Sequence, residues 1–270
     1  TYGLMTLFGV VFMFPFFWTL SSSLKTAAEV YIFPPVWLPA VPQWGNYARA
    51  WTLVPFGNFI WNSVQLAGLG MLGQTLSAAA VAFGFARFRF PGREPLFLFL
   101  LSTLVLPQEV TMTPTFLMFN AIGWVDTLAP LIVPSFFCGC AFFIFLLRQF
   151  FLTLPRDLDE AAKIDGANSL QILFRVIVPL AKPALATAAI FSFLGHWNEF
   201  QEPLIFLNSA KNFTIALGLR YFQTLPNESQ EPRDQLLMAA SLLVFLPCLV
   251  IFFVAQRSFV KGIVMSGIKG

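Results

Sequence analysis

Charged side chains interrupt this chain rarely, and the intervals between them outline its architecture. Stretches without Lys, Arg, Asp or Glu cover 1–24, 50–86, 95–108, 110–125, 127–147, 183–198 and 235–256. Crossing a bilayer as a helix takes roughly 20 mostly apolar residues. In lipid only helices or closed barrels satisfy every backbone polar group. Barrel strands alternate apolar and polar positions, whereas these runs are apolar on all sides and therefore read as helices. The runs on either side of Glu109 join into one span, and 183–198 continues past Glu199 into Pro203–Leu207. The pattern predicts six spans, at about 3–24, 60–84, 95–118, 127–149, 182–206 and 235–256. Residues 30–48 also lack charge, but Pro34, Pro35, Pro39 and Pro42 each break a helix there, so this stretch is a loop.

Composition agrees. Charged residues make up 11% of the chain, against about 25% in soluble proteins. With 57% hydrophobic residues and 34 phenylalanines, a soluble fold would expose apolar surface that drives aggregation. Disordered chains are poor in these residues, and three cysteines are too few for a disulfide scaffold. A net charge of +3 gives no reason to expect nucleic acid as a partner. The fold class is an all-α integral membrane protein, one transmembrane domain over 1–270, with the lipid bilayer as its surroundings.

Lys and Arg orient the spans. The links after spans two and four and the tail carry eleven of the sixteen basic residues, from Arg87, Arg89 and Arg93 to Arg257, Lys261 and Lys269. That side is expected to be cytoplasmic, and six spans then put both termini there. The chain starts at Thr1 without Met or a basic leader, so further N-terminal sequence is expected. The first span is too long for a removed signal peptide and lacks a cleavage site.

No phosphate-binding G-x-x-x-x-G-K-[ST] occurs. The one histidine, His196, reads as an interfacial residue packed beside Trp197, and Cys138 and Cys140 as buried structural thiols. No metal-ligand spacing and no catalytic constellation can be assembled, so the chain is expected to be non-catalytic. Ala78, Ala82 and Ala86, with Ala80 and Gly84, make small-residue packing faces on span two.

The longest cytoplasmic connection, about 150–182, reads as two short helices and a tight turn. Pro155 suits a first helical turn, and Asp157, Asp159 and Glu160 place negative charge at its positive end. Leu158, Ala161, Ala162 and Asp165 share one face, with two alanines permitting close approach of a partner. Gly166 suits the left-handed position that ends a helix. Ser169 is expected to cap a second, amphipathic helix whose Leu170, Leu173, Val176 and Ile177 face apolar surroundings. From the residues alone, a helix docked to a protein and a helix lying on the membrane surface both remain open.

Here the chain resembles a known family. Glu160-Ala161-Ala162, Asp165-Gly166-Ala167, Ile177 and Pro179 look like the EAA loop of ABC-importer permeases. Ser23-Leu24-Lys25, Asn46-Tyr47, Asn62-Ser63, Ala86 to Gly92, Pro107 to Thr111, Trp197 to Phe200 and Gln256 to Gly262 resemble the carbohydrate-uptake class, in particular its maltose-type subunit with six spans. The resemblance covers essentially the whole chain.

It implies one permease of a heterodimer. Two cytoplasmic ATPase subunits would bind ATP and Mg, and an external solute-binding protein would deliver a sugar or oligosaccharide. The setting implied is the cytoplasmic (inner) membrane of a bacterium or archaeon. Glu160, Ala161, Ala162, Asp165 and Gly166 would form the coupling helix seated in the ATPase. The tail 256–270 would either reach between ATPase subunits or end in solvent.

Alternatives are import of glycerol phosphate, a glycerophosphodiester or a polyol by the same mechanism, and an ATP-independent secondary transporter or channel. The last calls for internal repeats and intramembrane ion sites, and the spans show no clear repeat.

An ionisable residue within a span is a candidate for the transport path. Glu109, about 21 Å along span three at 1.5 Å per residue, either lines a polar cavity with Gln108 and Thr111 or satisfies backbone freed by Pro107 and Pro114. Asn198 and Glu199, with Glu202, cluster at the outer end of span five, where Trp197 is an interface anchor. The outer loop 208–235, with Pro226 and Pro232, is a candidate reach towards a binding protein.

Overall fold

A computed structural model describes the backbone of residues 2–137, 140–224 and 233–267, and side chains through Phe253 apart from Thr224. Cys138, Pro226, Pro232 and the side chains of the tail 256–270 lie outside the described residues. All regular structure among the described residues is helical. In chain order the helices are α1 Tyr2–Ser23, α2 Ala27–Tyr31, α3 Gly45–Leu53 and α4 Phe56–Arg87. Next come α5 Arg93–Ser102, α6 Gln108–Ala121, α7 Ala129–Ile132, α8 Pro134–Phe137 and α9 Ala141–Thr153. The chain continues with α10 Asp157–Ile164, α11 Ser169–Ile172, α12 Val178–Leu180 and α13 Lys182–Asn198. The last are α14 Gln201–Phe206, α15 Ile215–Thr224 and α16 Asp234–Gly267.

Tyr2–Ser23, Phe56–Arg87, Ala129–Thr153 and Asp234–Phe253 are each long and apolar enough to cross a membrane. The remaining two predicted spans are associated with bends, the third within it and the fifth just before its start. Arg93–Val105 and Gln108–Ala121 meet at 97°, and Ser169–Leu180 and Lys182–Asn198 at 86°. The stretch predicted as the third span, about 95–118, therefore contains a bend. Pro107 is extended at φ −62, ψ 139 and serves as the N-cap of α6, because a proline has no N–H to continue the preceding ladder. Span five likewise ends at Asn198, with Glu199 extended before α14 starts afresh at Gln201.

Two compact units emerge, residues 1–62 with 209–250 and residues 63–208 with 251–270. In the first, buried polar residues stitch the chain together. Asn46 donates to the carbonyls of Ser23 and Lys25, at 2.9 Å each. Asn62 does the same to Lys211 and Phe213, at 2.9 and 3.0 Å. Gly218 leaves the room that the Phe59 ring occupies, since any Cβ there would collide with it.

The second unit has the main core. Ala78, Ala82 and Ala86 of α4 are fully buried against Ile144, Leu147 and Phe151 of α9 and Ala184 and Ala188 of α13. Small side chains at a four-residue spacing let the helix backbones approach closely. Ala80, by contrast, is exposed. Ile172, Leu173, Ile177 and Ala181 complete the core.

Candidate functional site

Leaving α9 at Thr153, the chain passes extended through Leu154, and Pro155 stands just before α10 rather than in its first turn. Of the three acidic residues in that turn, Asp159 points inward and is 8% exposed. Its carboxylate pairs with Arg87 Nε at 3.0 Å. Both terminal nitrogens of Arg87 donate to the Leu154 carbonyl at 3.2 Å, and Arg156 reaches the Ala86 carbonyl at 3.5 Å. The last turn of α4 thus grips α10 through a buried cation, and the grip falls where C-terminal carbonyls favour positive charge.

Beyond Ile164 the helix closes as a Schellman turn. Gly166 adopts φ 82, its N–H donating to Lys163 and that of Ala167 to Ala162, at 3.0 and 2.9 Å. The expected cap at Ser169 is corrected to Asn168. Asn168 Oδ1 accepts from the Gln171 N–H at 2.9 Å, and Gln171 Oε1 accepts from the Asn168 N–H at 2.8 Å. This reciprocal box satisfies two otherwise orphan donors, and it needs Gln171 three residues on, which Ser169 lacks.

The face assignments also change. Ala162 is half-buried and packs on the core, whereas Ala161, Glu160, Asp165 and Gly166 are exposed. Ile164 is 87% exposed, an apolar side chain at the tip of the segment. The second helix is α11 plus a π turn over Leu173–Ile177. It buries Ile172, Leu173 and Ile177 but leaves Leu170 67% exposed.

The path candidates separate. Glu109 stands exposed in the first turn of α6, after the bend, so the distance along a straight helix does not apply to it. Thr111 hydrogen-bonds the Gln108 carbonyl of its own helix at 2.9 Å. Asn198 donates to Leu194 of its own helix at 2.8 Å. Glu199 Oε1 accepts the Gln201 and Glu202 N–H groups at 3.0 and 3.2 Å, capping α14. What joins the two helix breaks is Gln108, donating to Glu202 at 2.9 Å.

A polar cluster that the sequence did not reveal lies deeper. His196 Nδ1 donates to the Ser192 carbonyl at 2.8 Å, leaving Nε2 to accept from the Ser135 hydroxyl at 3.3 Å. Ser192 donates to Gln74 Oε1 at 2.5 Å and Ser77 to the Ser135 carbonyl at 2.9 Å. The imidazole lies where Gly70 has no side chain, so the expected place beside Trp197 at the interface is replaced by one against α4. Spacing gave a partial signal, since Gly70, Gln74 and Ser77 share one face of α4. Nothing local tied them to His196. Among the described residues no group of three or more His, Cys, Asp or Glu is placed to hold a metal.

Residues 76–265 match the sequence profile of the family described as "Binding-protein-dependent transport system inner membrane component". The chain belongs to that family. It is accordingly a membrane permease subunit of a binding-protein-dependent importer, not an enzyme and not a secondary transporter or channel. Among its relatives, the diacetylchitobiose uptake system permease protein NgcG of Streptomyces coelicolor is 32% identical over 267 residues, covering 99% of this chain and 87% of the relative. The sn-glycerol-3-phosphate transport system permease protein UgpE of Pectobacterium atrosepticum is 32% identical over 260 residues, covering 94% and 91%. In fold, the permease resembles a chain from the crystal structure of a bacterial ABC transporter involved in import of the acidic polysaccharide alginate. The TM-score is 0.83 at 24% identity, with 94% of this chain and 93% of that one covered.

Proposed function

We propose that this permease carries a sugar or oligosaccharide and forms half of a translocation path with a second permease subunit. Two ATPase subunits, binding ATP and Mg, drive it from the cytoplasmic side, where both termini lie. An external solute-binding protein delivers the substrate, and the setting is the inner membrane of a bacterium or archaeon. The observation that supports coupling through α10 is its asymmetry. One face is held to α4 by the Arg87–Asp159 pair, and the other presents Glu160, Ala161, Ile164, Asp165 and Gly166. Ala162 contributes from within, as the packing contact that sets the height of the helix. A rigid element with one bound and one free face transmits closure of a partner into rotation of the spans.

Near the outer helix breaks, Glu109 is retained as a path residue, standing beside the Gln108–Glu202 link. Asn198 and Glu199 contribute there by holding the ends of α13 and α14. Sugar is favoured over glycerol phosphate because no Lys or Arg occurs within the predicted spans other than Arg148 and Lys182 at their ends, and the Arg148 guanidinium is 4.1 Å from the Phe97 ring and paired with Glu94.

Purification of the complex tests the assembly, and Ala161→Leu tests the face. The variant is expected to reach the membrane at the wild-type level yet retain less ATPase. Wild-type ATPase retention and wild-type uptake would overturn the assignment. Uptake of labelled oligosaccharide against labelled glycerol 3-phosphate separates the two substrate readings.

A further inference from the structure

The loop after α1 lies outside the residues proposed for coupling and for the path, and its chemistry is unusual for a surface loop. Between Thr26 and Ala48 the one charged residue is Glu29. Both its oxygens are used inside the loop, accepting the N–H groups of Thr26 at 2.9 Å and Ala40 at 3.1 Å. The nearest cation, Lys25, is 1% exposed, its ammonium 4.1 Å from the Trp18 ring. The outward surface is apolar instead: Phe33 is 92% exposed, Leu38 64%, Val41 66% and Trp44 69%.

The loop also folds back along the span it follows. Ser21 donates its hydroxyl to the Trp37 carbonyl. From there the Trp37 indole packs edge-on against Trp18 and Phe14, with centroids 5.9 and 6.0 Å away. Phe14 precedes the end of α1 by nine residues, about 14 Å along the axis at 1.5 Å per residue. The indole therefore runs down the flank of a helix that buries almost nothing within its own chain and is apolar on every side. Its surface continues that apolar flank.

Backbone chemistry fits the same place. A chain segment at a membrane boundary pays for each amide left without a partner. Pro34, Pro35, Pro39 and Pro42 have no N–H to satisfy, the Ala40 N–H is taken by Glu29, and that of Gln43 by the Leu24 carbonyl at 2.9 Å. Tryptophan with prolines and aliphatic residues, free of outward charge, is the composition of an interfacial anchor.

We propose that residues 32–44 lie in the membrane as an interfacial anchor at the C-terminal end of α1. Phe33, Leu38 and Trp44 contact phospholipid at the glycerol and acyl boundary, and Trp37 fixes the loop against the helix. The placement rests on α1 being a span and not on which side is cytoplasmic. An error in orientation thus changes the leaflet and not the lipid contact.

Nitroxide labels test it in the assembled complex in nanodiscs of phosphatidylethanolamine and phosphatidylglycerol. Phe33→Cys and Leu38→Cys are labelled in a background with Cys138, Cys140 and Cys248 replaced by Ala, with Leu7→Cys on α1 as the lipid reference. The expected result is more collision with oxygen than with an aqueous nickel chelate at both positions, as at the reference. Nickel collision exceeding oxygen would place the loop in water and overturn the proposal. Low collision with both reagents would show a protein covering it, which overturns it equally. Labels at these two exposed positions leave the Ser21, Glu29 and Trp37 contacts in place, so the loop keeps its fold.

Discussion

Asp159→Ala puts the clamp beneath α10 to a direct test. The Arg87 side chain is 4% exposed and that of Asp159 11%, with 3.0 Å between Nε and the carboxylate. Removing the carboxylate leaves a desolvated guanidinium bonded to the Leu154 carbonyl, which offers a dipole in place of a full charge. Losing one partner of a buried pair costs about 3–5 kcal/mol. The pair sits at the end of α4, where water can relax around the freed cation, so the lower end, about 3 kcal/mol, applies. That corresponds to roughly a hundredfold shift from a clamped towards a released α10. Hydrogen exchange on the reconstituted complex reads it: amides of 160–165 should lose about that factor in protection, while mid-α4 amides stay unchanged. Substrate moved per ATP should fall with it, since a loose helix absorbs ATPase closure instead of passing it on. Combining Arg87→Met with Asp159→Leu removes both desolvation penalties and should restore most of the protection. Wild-type exchange in the single variant, or a double variant as loose as the single one, would refute the reasoning.

Further predictions concern packing and titration. Gly70→Ala would set a Cβ 2.5 Å from His196 Cδ2. It should cost about 1–3 kcal/mol by forcing the imidazole off its two serines, read as a lowered thermal transition, while Gly68→Ala, which meets nothing within 4 Å, should leave it unchanged. Ala162→Leu pushes a larger side chain into the core and should lower membrane abundance by overpacking, the opposite signature to Ala161→Leu; equal abundance in both would contradict the inward placement of Ala162. The backbone N–H groups of Thr26 and Ala40 hold the Glu29 carboxyl below its ordinary 4.5. Its contribution to the loop is therefore complete above that value and is lost as the pH falls through the lowered one. An isotope-edited carboxyl titration should show the low midpoint, and a midpoint at or above 4.5 would dismiss the two hydrogen bonds.

The membrane class and four stretches long and apolar enough to cross a membrane were legible because charge is costly in lipid wherever it lies in the chain. Family membership was legible from the EAA segment, whose Gly166 and acidic first turn serve local backbone needs. Other features were not. Ser169 and Asn168 are both good caps, and the choice turned on a glutamine three residues downstream. Pro107 and Pro114 both sit in one apolar run, yet α6 absorbs Pro114 within it, whereas the chain turns at Pro107 towards the Gln108–Glu202 link.

Local chemistry thus dictated which stretches are apolar enough to leave water, where basic residues gather and how the turn at Gly166 closes. Each of these depends on a residue and its near neighbours. Inward and outward faces obeyed a different rule. Ala161 and Ala162 are identical in type, as are the carboxylates of Asp157 and Asp159; packing on the core separates the alanines, and the arrival of Arg87 from 72 positions away separates the carboxylates. His196 is likewise placed by the absence of a side chain at Gly70. Contacts between distant segments depend on how helices bend and pack, and that geometry is a property of the assembled bundle.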